Sequence, residues 1–90
     1  MAFLVQCILP GYEVRAVTRG VSKKGNEFRS IRVESPDGDS TCEISCTRSE
    51  LFPQVDGLRK AMVCNFNCVA VSGRERSYIS LVDSPVIVEA

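Results

Sequence analysis

The stretch Thr41-Cys42-Glu43-Ile44-Ser45-Cys46-Thr47-Arg48-Ser49-Glu50 passes from one structural period to another. From Thr41 to Thr47, Cys42, Ile44 and Cys46 alternate with Glu43, Ser45 and Thr47, the period of two that gives a strand one dry and one wet face. Thr47-Arg48-Ser49-Glu50 then has capping-box spacing, in which the threonine oxygen accepts from a first-turn amide and the glutamate reaches back to the threonine amide. A strand leading into a short helix is therefore expected. Leu51, Phe52, Val55, Leu58 and Met62 continue at helical spacing, but Pro53 and Gly57 interrupt it. The helix should last a turn or two, with its apolar side plugging a barrel end.

Strands are expected on both sides of this segment. Downstream, Ala61 to Val71 sets Cys64, Phe66 and Cys68 against Asn65 and Asn67. After the loop Ser72-Gly73-Arg74-Glu75-Arg76-Ser77, Tyr78 to Val82 and Val86 to Val88 finish the sheet around Pro85. Upstream, Phe3 to Leu9 reads as a buried strand that Pro10-Gly11 ends with a turn. Tyr12, Val14, Ala16 and Thr18 then alternate with Glu13, Arg15, Val17 and Arg19. Phe28 to Glu34 returns with Arg29, Ile31 and Val33 on one side and Phe28, Ser30 and Arg32 on the other, before the turn Ser35-Pro36-Asp37-Gly38-Asp39-Ser40. The expected fold is all-β. It is a small antiparallel five- or six-stranded OB-like Greek-key barrel with protruding hairpins and one short helical connection, an architecture that often carries oligonucleotides on one face. Its 90 residues form a single domain, 1–90. A chain this size buries only roughly 60 to 65% of its unfolded surface, so a partner subunit would help.

Composition narrows the function. Eleven Lys and Arg balance eleven Asp and Glu, so any nucleic-acid site must be local. Arg15, Arg19, Lys23, Lys24, Arg29 and Arg32 cluster, and Glu34, Asp37, Asp39 and Glu43 follow them. The chain has no histidine, which removes Cys-His and Ser-His nucleophile pairs and the commonest general base. No phosphate-cradling glycine loop occurs, and Pro36-Asp37-Gly38-Asp39 is turn chemistry without a complete calcium-loop pattern. No enzyme, cofactor or small-molecule substrate is expected. The five cysteines are read as reduced thiols. Cys42 with Cys46 and Cys64 with Cys68 have metal-like spacing, but four strand residues span about 13 Å and a thiolate must lie near ~2.3 Å from zinc. They are read as small hydrophobes, with no metal. The apolar run Phe3 to Leu9 lacks a positive flank and cleavage site and is too short for a membrane span. A soluble, cytoplasmic protein without a membrane partner is expected.

The candidate site is Thr18-Arg19-Gly20-Val21-Ser22-Lys23-Lys24-Gly25-Asn26-Glu27-Phe28. Cations here can meet phosphates while Phe28 stacks on a base, and Gly20 and Gly25 let the backbone turn tightly. The phosphate contacts are assigned to Arg19, Lys23, Lys24, Arg29 and Arg32. Ordinary turn residues at a solvated hairpin tip give the same composition. In the second loop, Arg74 and Arg76 flank Glu75, so a guanidinium could reach a phosphate, stack on a base, or pair with Glu75. Tyr78 is either a second stacking platform or cross-strand packing.

The segment from Thr18 to Phe28 resembles the DNA-binding wing of the small single-stranded-DNA-binding, helix-destabilising proteins of filamentous bacteriophages. That family carries Thr-Arg, Gly-Val-Ser, a basic residue, Gly and then an aromatic, and the chain length and strand order agree. The resemblance implies an OB-like homodimer that coats single-stranded DNA cooperatively, without sequence specificity, during replication of a phage or related mobile element. RNA is a possible alternative strand. By the same resemblance Arg19 and Lys23 take the basic positions, Gly25 the turn and Phe28 the base-contacting aromatic. Asn26 stands where the family has a basic residue and Ser30 where it has an apolar one. The loop from Ser72 to Ser77 stands where the family presents an aromatic tip. The alternative is an OB-like protein-interaction module without nucleic-acid binding.

Overall fold

The alternation at Thr41 becomes the third strand of a closed barrel. A computed structural model describes residues 3–72 and 77–89. The strands are β1 (Phe3–Val21), β2 (Glu27–Glu34), β3 (Thr41–Cys46), β4 (Val63–Ser72), β5 (Ser77–Leu81) and β6 (Val86–Glu89). A 3-10 turn at Ser49–Leu51 and the helix α1 (Phe52–Asp56) link β3 to β4. The sheet order is β1-β2-β3-β5-β4, and β4 pairs back onto β1, while β6 lies outside against β4. This is the small OB-like barrel expected, with five strands closing and a sixth outside.

One pair departs from the antiparallel expectation. Ile44 and Ser45 of β3 run parallel to Ile79 and Ser80 of β5. The cause is topological: β4 runs antiparallel to β1, so β5, antiparallel to β4, points the same way as β3.

Pro10-Gly11 does not end a strand, because β1 runs through it. Gly11 adopts φ +68°, and the pairing with β4 shifts register between Leu9 and Tyr12. The irregularity absorbs a proline that has no N–H to give the ladder. The Gly11 N–H donates to Asn65 Oδ1 at 2.8 Å. This bend lets one long strand pair with β4 along its first part and with β2 along its second.

A second bulge lies between Val14 and Ala16 and reverses the faces beyond it. Val14 opposes Val33 in the core, and Val17 then opposes Ile31 and Arg19 opposes Arg29 on that same side. Thr18 and Gly20 face outward. Uninterrupted alternation would have placed Ala16 and Thr18 on Val14's side, and the extra residue, Arg15, is why it does not. Arg15 reaches Glu13 at 2.7 Å and Glu34 at 3.5 Å. Those carboxylates oppose each other across the ladder, a destabilising arrangement that the guanidinium offsets.

The capping box does not form. Arg48 is the N-cap of the 3-10 turn, in extended conformation and without a side-chain cap bond. Burial of Leu51 and Phe52 sets where the turn begins, Pro53 suits the start of α1, where its missing N–H costs nothing, and Gly57 follows its last residue. Leu51, Phe52, Val55 and Leu58 join the core formed by Val14, Ile31, Val33, Ile44, Phe66 and Leu81, as the sequence reading anticipated for the apolar side of this link.

Cys46, Cys64 and Cys68 are fully buried in that core, and all five thiols are free. Burial, with Cys7 and Cys42 nearby, pushes the Cys68 thiol up to about 12, so it stays protonated at neutral pH. Among the described residues no group of three or more His, Cys, Asp or Glu is placed to hold a metal ion. No helix among them is long and apolar enough to cross a membrane.

Candidate nucleic-acid interface

The hairpin between β1 and β2 is closed by its own backbone. The Ser22 N–H donates to the Asn26 carbonyl at 2.8 Å, and the Gly25 N–H to the Ser22 carbonyl at 2.9 Å. The Asn26 N–H also donates to Ser22 Oγ at 3.2 Å. Gly25 sits at φ +86°, as a three-residue hairpin loop requires of its last position. Lys23 and Lys24 are thereby exposed at the tip and make no ion pair with another described residue.

Gly20 has a different role from the one its sequence context predicts. It lies inside β1, opposite Phe28, and the tip of the Phe28 ring lies over it. A Cβ at Gly20 would stand 2.4 Å from Phe28 Cζ. The glycine therefore seats the aromatic ring and takes no part in the turn.

Arg29, assigned to phosphate, is committed to the protein itself. It is buried, and its Nε donates to Asp56 Oδ1 at 2.8 Å and its Nη2 to Oδ2 at 3.4 Å, a two-pronged pairing. Its guanidinium carbon lies 4.3 Å from the centre of the Phe52 ring, within cation–π range. The correction follows from side-chain direction. Arg29 shares the inward face with Ile31 and Val33 and meets α1, which carries Asp56. Arg19, opposite Arg29, approaches the same carboxylate at 3.6 Å but is largely exposed.

The hydrogen bond from Arg29 holds the Asp56 carboxyl below its usual range, and the bond to Asp56 raises Arg29. A depressed carboxylate stabilises the fold above its unfolded pKa of ~3.9, and that contribution is lost as pH falls through the folded value. Arg29→Met is expected to lower the thermal midpoint at pH 7 without altering the salt dependence of any binding to a labelled single strand. The difference in midpoint from the native chain should shrink as acid protonates Asp56. A changed salt slope with an unchanged midpoint would return Arg29 to the phosphate contacts.

Outward from β2, Phe28, Ser30 and Arg32 share the opposite face, as read from the sequence. Register aligns Thr18, Ser30, Ser45 and Ser80 in a row of hydroxyls across four strands, and brings Arg32 opposite Glu43. A groove of about 1010 Å³ crosses this surface. Phe28, Phe52 and Tyr78 line it with the hydroxyl side chains of Ser45, Thr47 and Ser80 and the carboxylates of Glu27 and Glu43. Tyr78, near the start of β5 and opposite Val71 of β4, is 45% exposed, so its ring is available to a ligand. Arg74 and Arg76 lie outside the described residues.

The expected residues therefore separate into three groups. Lys23, Lys24 and Gly25 form the exposed tip, Phe28 and Tyr78 line one groove, and Arg32 lies on the same outer face. Arg19 belongs to the other face of the β1–β2 ladder, exposed and 3.6 Å from Asp56. The sequence reading missed Gly20 as a seat, Phe52 as a shared wall and Glu43 as a lining residue. Its pairing of Phe28, Ser30 and Arg32 on one face did carry part of that signal. Comparison with protein-family models finds no match, and comparisons with curated proteins and with solved structures find none either.

Proposed function

We propose that this chain is a non-catalytic, largely sequence-independent single-stranded-DNA-binding protein. It acts as a homodimer in the bacterial cytoplasm, coating DNA during replication of a phage or related mobile element. One observation carries the reading: two exposed lysines stand at a hairpin tip whose base presents Phe28 to a groove shared with Tyr78. Cations that track a backbone beside aromatic faces that stack bases are what strand binding without sequence readout requires. The resemblance of Thr18 to Phe28 to the phage wing supports the same assignment.

The test is fluorescence anisotropy of a labelled ~20-nucleotide poly-dT at low and moderate salt, with a matched duplex as competitor. Salt-sensitive binding to the single strand in preference to duplex is expected. Each phosphate neutralised contributes about 0.7 to the slope of log affinity against log salt. Lys23→Ala should flatten the slope by roughly that amount, whereas Phe28→Ala should weaken binding at nearly constant slope. Equal slopes in the two variants would reject this division of labour.

A second reading, a protein-interaction barrel, is favoured by the exposed apolar side chains of Val86, Ile87 and Val88 on β6 and of Ile8 on β1, each more than half exposed. Salt-insensitive association with a protein, and no DNA affinity at micromolar concentration, would select it.

A further inference from the structure

The groove beside Phe28 has a charge pattern that a simple phosphate channel lacks. Its charged lining residues are Glu27 and Glu43, and no Lys or Arg among the described residues lines it. The cations are not among the lining residues: Lys23 and Lys24 stand at the hairpin tip, and Arg32 lies two register positions from the Ser30–Ser45 pair, opposite Glu43. A phosphodiester lying in the groove would meet two carboxylates, so the bases are the part of a strand that fits there. A base stacked on Phe28 or Tyr78 would share the groove with the hydroxyl residues Ser45, Thr47 and Ser80 and with Glu43.

Glu43 is available to receive it. It is exposed on β3, and although Arg32 lies opposite across the ladder, Glu43 makes no ion pair with any described residue. A carboxylate accepts hydrogen bonds and offers none. Guanine presents two adjacent donors, N1–H and N2–H, matching the two oxygens of a carboxylate. Cytosine and adenine present an exocyclic amine beside a ring acceptor. Thymine presents N3–H between two carbonyl oxygens that repel the carboxylate.

Resting on the single-strand reading above, we infer that Glu43 makes this groove a base-selective subsite that favours guanine and disfavours thymine. The bias is superimposed on otherwise sequence-neutral binding. The side chain responsible touches the base, and the basic hairpin supplies affinity without regard to base identity.

The experiment compares three 12-nucleotide strands by anisotropy in lithium buffer at pH 7.5, where guanine quadruplexes are suppressed. They are all-dT, alternating dT/dG, and alternating dT/deoxyinosine, in which the N2 amine is missing. Well-placed paired hydrogen bonds discriminate between bases by about 5-fold or more. The dT/dG strand is expected to bind at least about 5-fold more tightly than dT, with the inosine strand between them. In Glu43→Gln, which presents one acceptor and one donor, the three affinities should converge while dT binding holds or strengthens. Convergence would support the subsite. Equal binding of all three strands by the native protein, or unchanged discrimination in Glu43→Gln, would overturn it and leave the single-strand reading standing. Failure of the native protein to bind any strand would overturn both.

Discussion

An alanine at Gly20 is expected to weaken single-strand binding about as much as removal of the Phe28 ring, while leaving the stability of the fold nearly unchanged. The added Cβ would stand 2.4, 2.8 and 3.0 Å from three atoms of that ring, where carbon atoms normally pack at ~3.5 to 4.0 Å. Those atoms are the free end of a side chain, so the ring swings away without displacing backbone. Gly20 lies in a strand and outside the left-handed region, so the backbone accepts alanine. The unfolded chain also loses freedom, a gain of about 0.4 to 1 kcal/mol that offsets part of the crowding. On the proposed reading the loss falls on strand binding, because Phe28 leaves its place at the groove. Stacking contributes ~1 to 3 kcal/mol per base, which corresponds to about 5- to 150-fold in affinity. Anisotropy and thermal unfolding measured on the same sample check both halves. The double variant Gly20→Ala/Phe28→Ala should bind no more weakly than Phe28→Ala, because both changes remove one interaction. Native affinity in Gly20→Ala would show that the seated ring is not the stacking surface.

The largest loss of stability is expected from Phe66→Ala. Phe66 is fully buried and lies opposite Leu9 on β4, the strand that pairs with β1, β5 and β6. Neighbours held by three ladders cannot collapse into the space left by the ring. Such truncations cost about 3 to 5 kcal/mol, against a total of about 5 to 15 kcal/mol for a domain. Urea unfolding followed by circular dichroism should show a midpoint moved far toward zero denaturant with a similar slope. A shift equivalent to less than 1 kcal/mol would mean that the barrel interior repacks freely. Any binding deficit in this variant should disappear under conditions that refold it, which separates it from the Gly20 variant.

Reading this chain depends on where strict alternation persists. At Cys42-Glu43-Ile44-Ser45-Cys46 and at Cys64 to Cys68 it is unbroken, so inward and outward faces, and the core role of the cysteines, follow from the order of residues. Along β1 it is broken twice, at Pro10-Gly11 and at Arg15. A single inserted residue exchanges the faces of everything beyond it. A bulge is recognised by what pairs across the strand, and that partner is distant in the sequence.

The site divides along the same line. The hairpin tip with Lys23, Lys24 and Gly25, and Phe28 beside it, was legible because turn chemistry and strand period are local properties. Arg29 was legible as inward-facing through its alternation with Ile31 and Val33, but not as a partner of Asp56, which lies 27 residues away on the link between β3 and β4. Composition alone made Arg29 one more cation in a basic cluster. Chain order thus determined a small closed barrel with a basic hairpin, because hydrophobic period and turn residues act over a few positions. Only the tertiary structure decided which cations remain exposed, that Gly20 seats Phe28, and that Glu43 shares a groove with both rings. Those outcomes depend on barrel closure, which brings β1, β2, β3, β5 and α1 together.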